Sequence, residues 1–202
     1  PNLIDGMKPS QRKIIYACIK RNLYSEIKVS QLSGYISEKT NYHHGENSLM
    51  DTIISLAQNF VGSNNMNLLE PVGQFGTRLL GGKDASSPRY IFTHLSNDFK
   101  KLFNEDDNNI LDYLEEDGDP IEPTFYVPTL PLILINGACG IGTGFSCDVP
   151  CFNPEDIKKR LMDLVIDEDA DIPEMTPWYK GFTGTIKKTE TNKWITIGKY
   201  TV

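Results

Sequence analysis

Apolar residues fall into three clusters of helical period near the start of the chain and into short β-like runs toward its end. From Ser10 to Arg21, residues Ile14, Ile15, Ala17, Cys18 and Ile19 mark one inward face, and Pro9 suits a first helical turn. Residues 1–8 read as an extended lead-in with a turn at Asp5-Gly6. A second helix is predicted over 29–39, with Ser30 as its N-cap. A third is predicted from Glu46, turning Leu49, Ile53, Ile54, Leu56, Ala57 and Phe60 inward. Two helices joined by a short polar turn suggest a helix-turn-helix. Residues 62–67 read as loop, 94–103 as helix, and Leu132–Ile135 as a buried strand closing a proline-rich apolar run. Asn153-Pro154 opens another helix, whose face is Ile157, Leu161, Leu164 and Val165. Short strands are expected at 183–186 and 194–197. The pattern as a whole is α+β without an internal repeat. A boundary near 145 divides it into 1–145 and 146–202.

Charge sharpens this division. The net charge is −7, but residues 1–100 hold 11 Lys/Arg against 8 Asp/Glu, and residues 101–202 hold 9 against 19. The first part, with all three histidines, suits a polyanion better than the second. Residues 105–119 contain eight acids and no base, which reads as a solvated surface segment. The four cysteines form no disulfide framework for a chain of this length, and Cys147-x3-Cys151 lacks the further ligands of a zinc site. A reducing compartment is expected. Neither a signal peptide nor a run of apolar residues long enough to cross a membrane is present. The start at Pro1 and strand-like end lead us to expect a piece of a longer protein.

Candidate chemistry concentrates in Pro71–Thr93, PVGQFGTRLLGGKDASSPRYIFT. Its glycines permit tight turns and close approach to a ligand. Its cations Arg78, Lys83 and Arg89 point to an anionic one, and a guanidinium fork suits phosphate oxygens. Tyr90 beside Arg89 offers a phenol, which titrates near pH ~10 and needs help to act as a nucleophile. The residues alone leave two readings open: a tyrosine presented to a phosphodiester, or the packed first residue of a β-prone run. Lys8, Arg12 and Lys13 are candidate phosphate contacts or a solvated basic helix end. Tyr42, His43 and His44 precede the third helix, where unpaired amides attract anions. Residues 76–84 miss the phosphate-loop spacing, and 137–144 miss the dinucleotide register, so neither supports ATP binding. Residues 137–144 read as a glycine-rich loop with Ile141 exposed on its flexible tip, where it is lost to the core but suits a wedge between base pairs.

The ordered motifs Asp5–Lys13, Tyr42–Glu46, Ala57–Asn64, Gly73–Arg78, Gly81–Asp84, Pro88–Tyr90, Asn136–Phe145 and Pro177–Phe182 run across nearly the whole chain. In them the chain resembles the breakage–reunion core of type II DNA topoisomerases, in their eukaryotic branch. The resemblance implies a winged-helix domain followed by the start of a mixed α/β tower domain. It implies Tyr90 as nucleophile, Arg89 as transition-state stabiliser and His44 at the scissile region. Lys8, Tyr42 and Ser48 would contact DNA, and Ile141 would intercalate; His43, Arg78 and Lys83 join the expected DNA-facing set. It further implies Mg²⁺ and ATP bound outside this stretch, a homodimeric parent cutting both strands of double-stranded DNA, and a nuclear address. Met7 and Ser10 depart from the Leu and Gly of many relatives. A second reading, a non-catalytic winged-helix DNA-binding module, predicts salt-sensitive binding and no covalent adduct.

Overall fold

The computed structural model describes residues 1–191 and 193–201. Three helices of equal length open it: α1 (Pro9–Lys20), α2 (Val29–Thr40) and α3 (Glu46–Ala57). Pro9 sits at the start of α1 as its fixed φ allows, and the Gln11 side chain accepts from the Lys8 N–H at 2.8 Å. α2 stops at Asn41, which takes a left-handed conformation with φ 46°. Ile14, Ile15 and Cys18 of α1 and Leu49, Ile53 and Ile54 of α3 face inward as the apolar spacing predicts, and α2 buries Val29, Leu32 and Ile36. Phe60 lies beyond the end of α3, in a bend.

Against these helices lies a three-stranded antiparallel sheet of order β1-β3-β2, from β1 (Ile27–Lys28), β2 (Leu69–Val72) and β3 (Phe92–Leu95). β3 corrects the expected helix over 94–103. His94 and Leu95 pair with Glu70 and Leu69, so strand pairing overrides local propensity, and only Phe99–Leu102 (α4) is helical. Ser30 is not the cap of α2. The Val29 and Ser30 amides donate to the backbone carbonyls of Ile91 (3.0 Å) and Pro88 (3.1 Å), so a distant turn closes this helix end.

The acidic segment is solvated, as its charge requires, but not unstructured. A 3₁₀ turn, Glu105–Asn109, leads to the hairpin β4 (Tyr113–Glu116) and β5 (Asp119–Pro123). Asp117 and Gly118 both have positive φ between these strands, the geometry that an Asp-Gly dipeptide favours in tight hairpins. The Leu132–Ile135 strand is also corrected. Leu132–Asn136 is a helical turn (α5), in which the Leu134 and Ile135 amides both donate to the Pro131 carbonyl. Residues 137–144 are not a loose loop: β6 (Ala138–Gly142) and β7 (Phe145–Val149) form a hairpin arm.

α6 (Pro154–Ile166) is capped by the Asn153 side chain, which accepts from the Glu155 N–H. Ile157 alone on its expected face is fully buried, while Val165 is exposed. β8 (Thr185–Glu190) and β9 (Lys193–Ile197) close the described chain as an antiparallel pair.

One core joins the helices, the sheet, Phe75, Tyr126, Ile135 and Ile157. Two polar hubs stitch it. The Asp5 carboxylate, wholly buried, accepts from the Met7 and Tyr126 amides and pairs with Arg12 at 2.8 Å. The Asn65 amide donates to the carbonyls of Ile135, Phe152 and Trp178 and accepts from the Lys180 N–H. No helix among the described residues is long and apolar enough to cross a membrane.

Candidate active site

The connection between β2 and β3 carries the candidate nucleophile, and its shape follows from a few side chains. Buried Phe75 anchors it to the core. The Gln58 amide, just past α3, donates to the carbonyls of Phe75 (2.8 Å) and Gly82 (3.3 Å). The Asp84 carboxylate accepts from both the N–H and the hydroxyl of Thr77, each at 2.8 Å. Those bonds, the backbone one foremost, hold Asp84 below the usual carboxylate range. Gly76 has φ 97°, and a Cβ there would meet the Gly82 backbone at 2.5 Å, so the crossing admits no side chain.

At the end of this loop Pro88–Tyr90 forms a turn, and the Tyr90 amide donates to the Ser87 carbonyl at 2.9 Å. The chain then enters β3, and Ile91 plugs the core with 1% of its surface exposed. Its neighbour must therefore point away: Tyr90 is 74% exposed, and Arg89 beside it is exposed too. This removes the packed reading of Tyr90. Because Pro88 and Ile91 accept the first amides of α2, the tyrosine rides on a turn clamped to a helix end.

A depression of 420 Å³ runs between the Asp51–Gln58 side of α3 and the loop from Gly81 to Pro88, and Lys83 lines it. Ser48 is exposed one turn before Asp51 on the same helix. At the N-terminus of α3, Tyr42 and His44 meet edge to face with centroids 5.5 Å apart, and His44 is exposed. α3 thus carries the histidine motif at one end and braces the tyrosine loop at the other, about 18 Å apart at ~1.5 Å per residue.

Other expected contacts are placed differently. Arg12 is buried on Asp5, with a further bond to the Met7 carbonyl, and Lys13 donates to the Thr40 carbonyl and Glu122. Both charges are satisfied inside the fold, so neither grips a phosphate here. Lys8 is exposed and enters no ion pair among the described residues. His43 faces Glu116 of β4, its Nε2 2.8 Å from a carboxylate oxygen. Arg78 donates to the Val61 carbonyl and lies over the Phe182 ring at 5.7 Å, tying two segments together. Ile141 stands 92% exposed on β6, in a strand instead of on a flexible tip. Sequence reasoning missed Gln58, Asp84 and Thr77, which shape the loop; only the spacing of polar residues among its glycines hints at them. Among the described residues no group of three or more His, Cys, Asp or Glu side chains could hold a metal ion.

The profile of the DNA gyrase/topoisomerase IV family, in its A-type chain, matches residues 1–202. The chain belongs to that family. Among similar proteins, DNA topoisomerase 2 of Candida albicans is 52% identical over 98% of this chain, which spans 14% of that relative. DNA topoisomerase 2-alpha of Homo sapiens is 51% identical over the whole chain, which spans 13% of it. A relative from Dictyostelium discoideum, 56% identical over 92% of the chain and matched over 14% of its own length, is named DNA topoisomerase 2, mitochondrial. The crystal structure of the Plasmodium falciparum topoisomerase II DNA-binding, cleavage and re-ligation domain superposes with a TM-score of 0.94 at 54% identity. That match covers 98% of this chain and 27% of the other. The chain is therefore a small part of the length of its topoisomerase relatives, and its α+β architecture matches that of the Plasmodium falciparum domain.

Proposed function

We propose that this chain is the strand-cleaving part of an ATP-dependent type II DNA topoisomerase, with Tyr90 as nucleophile. The observation that carries the reading is the outward, braced presentation of Tyr90 next to Arg89, in a member of this family. The phenolic oxygen attacks a DNA phosphorus and forms a 5′-phosphotyrosyl ester. The bond to the 3′ oxygen breaks, that oxygen takes up a proton, and the phenolic proton passes to solvent. One phosphoester replaces another, so the cut lies near equilibrium and the reverse attack reseals it. Charge peaks on the non-bridging oxygens in the transition state. Arg89 meets it there, a role in which one donor is worth about 3–4 kcal/mol.

The remaining contacts follow from exposure. Lys8, His44, Ser48 and Lys83 are free to meet the duplex, half-buried Tyr42 supports His44 from the core side, and Ile141 on its hairpin is the wedge that bends it. The order α1-β1-α2-α3-β2-β3, with the sheet β1-β3-β2, supports a winged helix in which α2 and α3 form the helix-turn-helix and the tyrosine loop is the wing. We place the division from the tower domain after Val149 and not at 145, since Phe145 pairs with Gly142 within one hairpin. Magnesium does not fit these residues alone: the loop acid, Asp84, is satisfied by Thr77 and no acidic cluster accompanies it. Metal and ATP belong to other parts of the homodimeric parent. A nuclear address is inferred from the eukaryotic character of the motifs; a mitochondrial one is the alternative, and imaging of the tagged parent separates them.

The test is Tyr90→Phe in the full-length parent. Duplex binding should persist while the covalent protein–DNA adduct, trapped by denaturation during cleavage, disappears. A persisting adduct overturns the assignment.

A further inference from the structure

Two open cavities lie on the surface formed by the end of α1, α4 and the β4–β5 hairpin, and neither shares a lining residue with the depression beside the tyrosine loop. One, of 320 Å³, is lined by Tyr16, Lys20, Tyr113, Pro120 and Tyr126. The other, of 410 Å³, is lined by Asn22, Tyr24, Phe99, Phe103 and Glu105. Ile19 and Asn108 border both, so the 3₁₀ turn Glu105–Asn109 stands between them as a saddle.

Three features say what such a groove takes. Tyr126 is 3% exposed, and its hydroxyl makes no hydrogen bond among the described residues, although its ring lines the first cavity. The hydroxyl is a donor open to an acceptor that arrives in the cavity. Glu105 lines the second cavity, Asp106 and Asp107 follow it on the 3₁₀ turn, and none of the three enters a salt bridge among the described residues. The aromatic faces already carry cations at their margins, with the Lys20 ammonium 5.3 Å from the Tyr16 centroid and that of Lys100 3.8 Å from Tyr24. Acids of this density repel DNA, so the groove is not an extension of the cleavage surface.

We propose that this groove docks a lysine-rich linear segment of a partner protein, with one apolar side chain in each cavity and its ammonium groups on the acidic saddle. A peptide carbonyl accepts the Tyr126 hydroxyl. Anchors give affinity and the charges give partner choice.

The test uses the full-length parent and a fluorescein-labelled lysine-rich peptide bearing two leucines, followed by anisotropy at low salt. A version with glutamates for lysines and a version with lysines for the leucines serve as comparisons. The leucine–lysine peptide should bind, and both comparisons should bind at least about tenfold more weakly. Asn108→Trp, which puts a bulky ring at the border the two cavities share while leaving its backbone carbonyl to the Tyr113 hydroxyl, should weaken binding by a similar factor, as should Glu105→Lys. Both variants should bind duplex DNA like the parent, which shows that they fold. Absence of binding, equal binding of the all-lysine peptide, or an Asn108→Trp variant that binds undiminished overturns the proposal.

Discussion

Tyr90 and Ile91 are neighbours that share one backbone turn and face opposite ways. Burial of Ile91 fixes the direction of Tyr90, so a loss of packing at 91 should act on chemistry at 90. Ile91→Ala should destabilise by about 2–4 kcal/mol in urea unfolding and lower the cleavage rate further than its stability loss explains. Asp5 is the other decisive residue. Its carboxylate holds Arg12 and two amides with no access to water. Asp5→Ala leaves a buried guanidinium unpaired and should cost about 3–5 kcal/mol by the same measurement. Thiols divide as sharply. Burial pushes the Cys18 thiol up to about 12, whereas Cys139 is exposed. Cys18 is then protonated throughout the neutral range and becomes a thiolate only as pH rises past that value. Iodoacetamide at neutral pH should label Cys139 in the native protein and Cys18 only after unfolding, as peptide mapping would show.

At the scale of elements, the three opening helices were legible because their faces are local: apolar spacing, Pro9 and the breaks at 21–28 and 41–45 all lie within the stretch they govern. The elements that escaped are held by distant partners. His94 and Leu95 are strand because Leu69 and Glu70 lie beside them, and α2 starts without a side-chain cap because Pro88 and Ile91 supply its acceptors. The β4–β5 hairpin was hidden under its acids, although Asp117-Gly118 signalled a turn. The site followed the same rule. Tyr90, Arg89 and Ile141 were singled out by residue type, with the roles of Tyr90 and Arg89 resting on the family resemblance, whereas the withdrawal of Arg12 and Lys13 depends on Asp5, Thr40 and Glu122, which only the folded chain brings near. The hairpin arm bearing Ile141 is an element whose tip makes little of the core. Ile141→Ala should leave unfolding within about 0.5 kcal/mol of the parent while reducing DNA bending read by end-to-end fluorescence transfer. Unchanged bending would remove Ile141 as the wedge.

Across the whole molecule, the charge asymmetry and the single core work together. The tyrosine loop and the α3 N-terminus lie in the more basic first part of the chain, and the acidic β4–β5 hairpin reaches that helix end through the His43–Glu116 contact. Asn65, in the loop that follows α3, holds Phe152, Trp178 and Lys180, and the Asn136 side chain of α5 exchanges two hydrogen bonds with the Met66 backbone of the same loop. Asn65→Ala removes one such clasp, and limited proteolysis should then cut the acidic stretch 167–173 sooner than in the parent. The claim on which all of this converges is that the phenolic oxygen of Tyr90 becomes esterified to a broken DNA end. The direct measurement is mass spectrometry of the nucleotide-bearing peptide from the parent enzyme, trapped during cleavage. A phosphodiester on the peptide containing Tyr90 is the predicted result; a nucleotide on any other residue, or none at all, contradicts it.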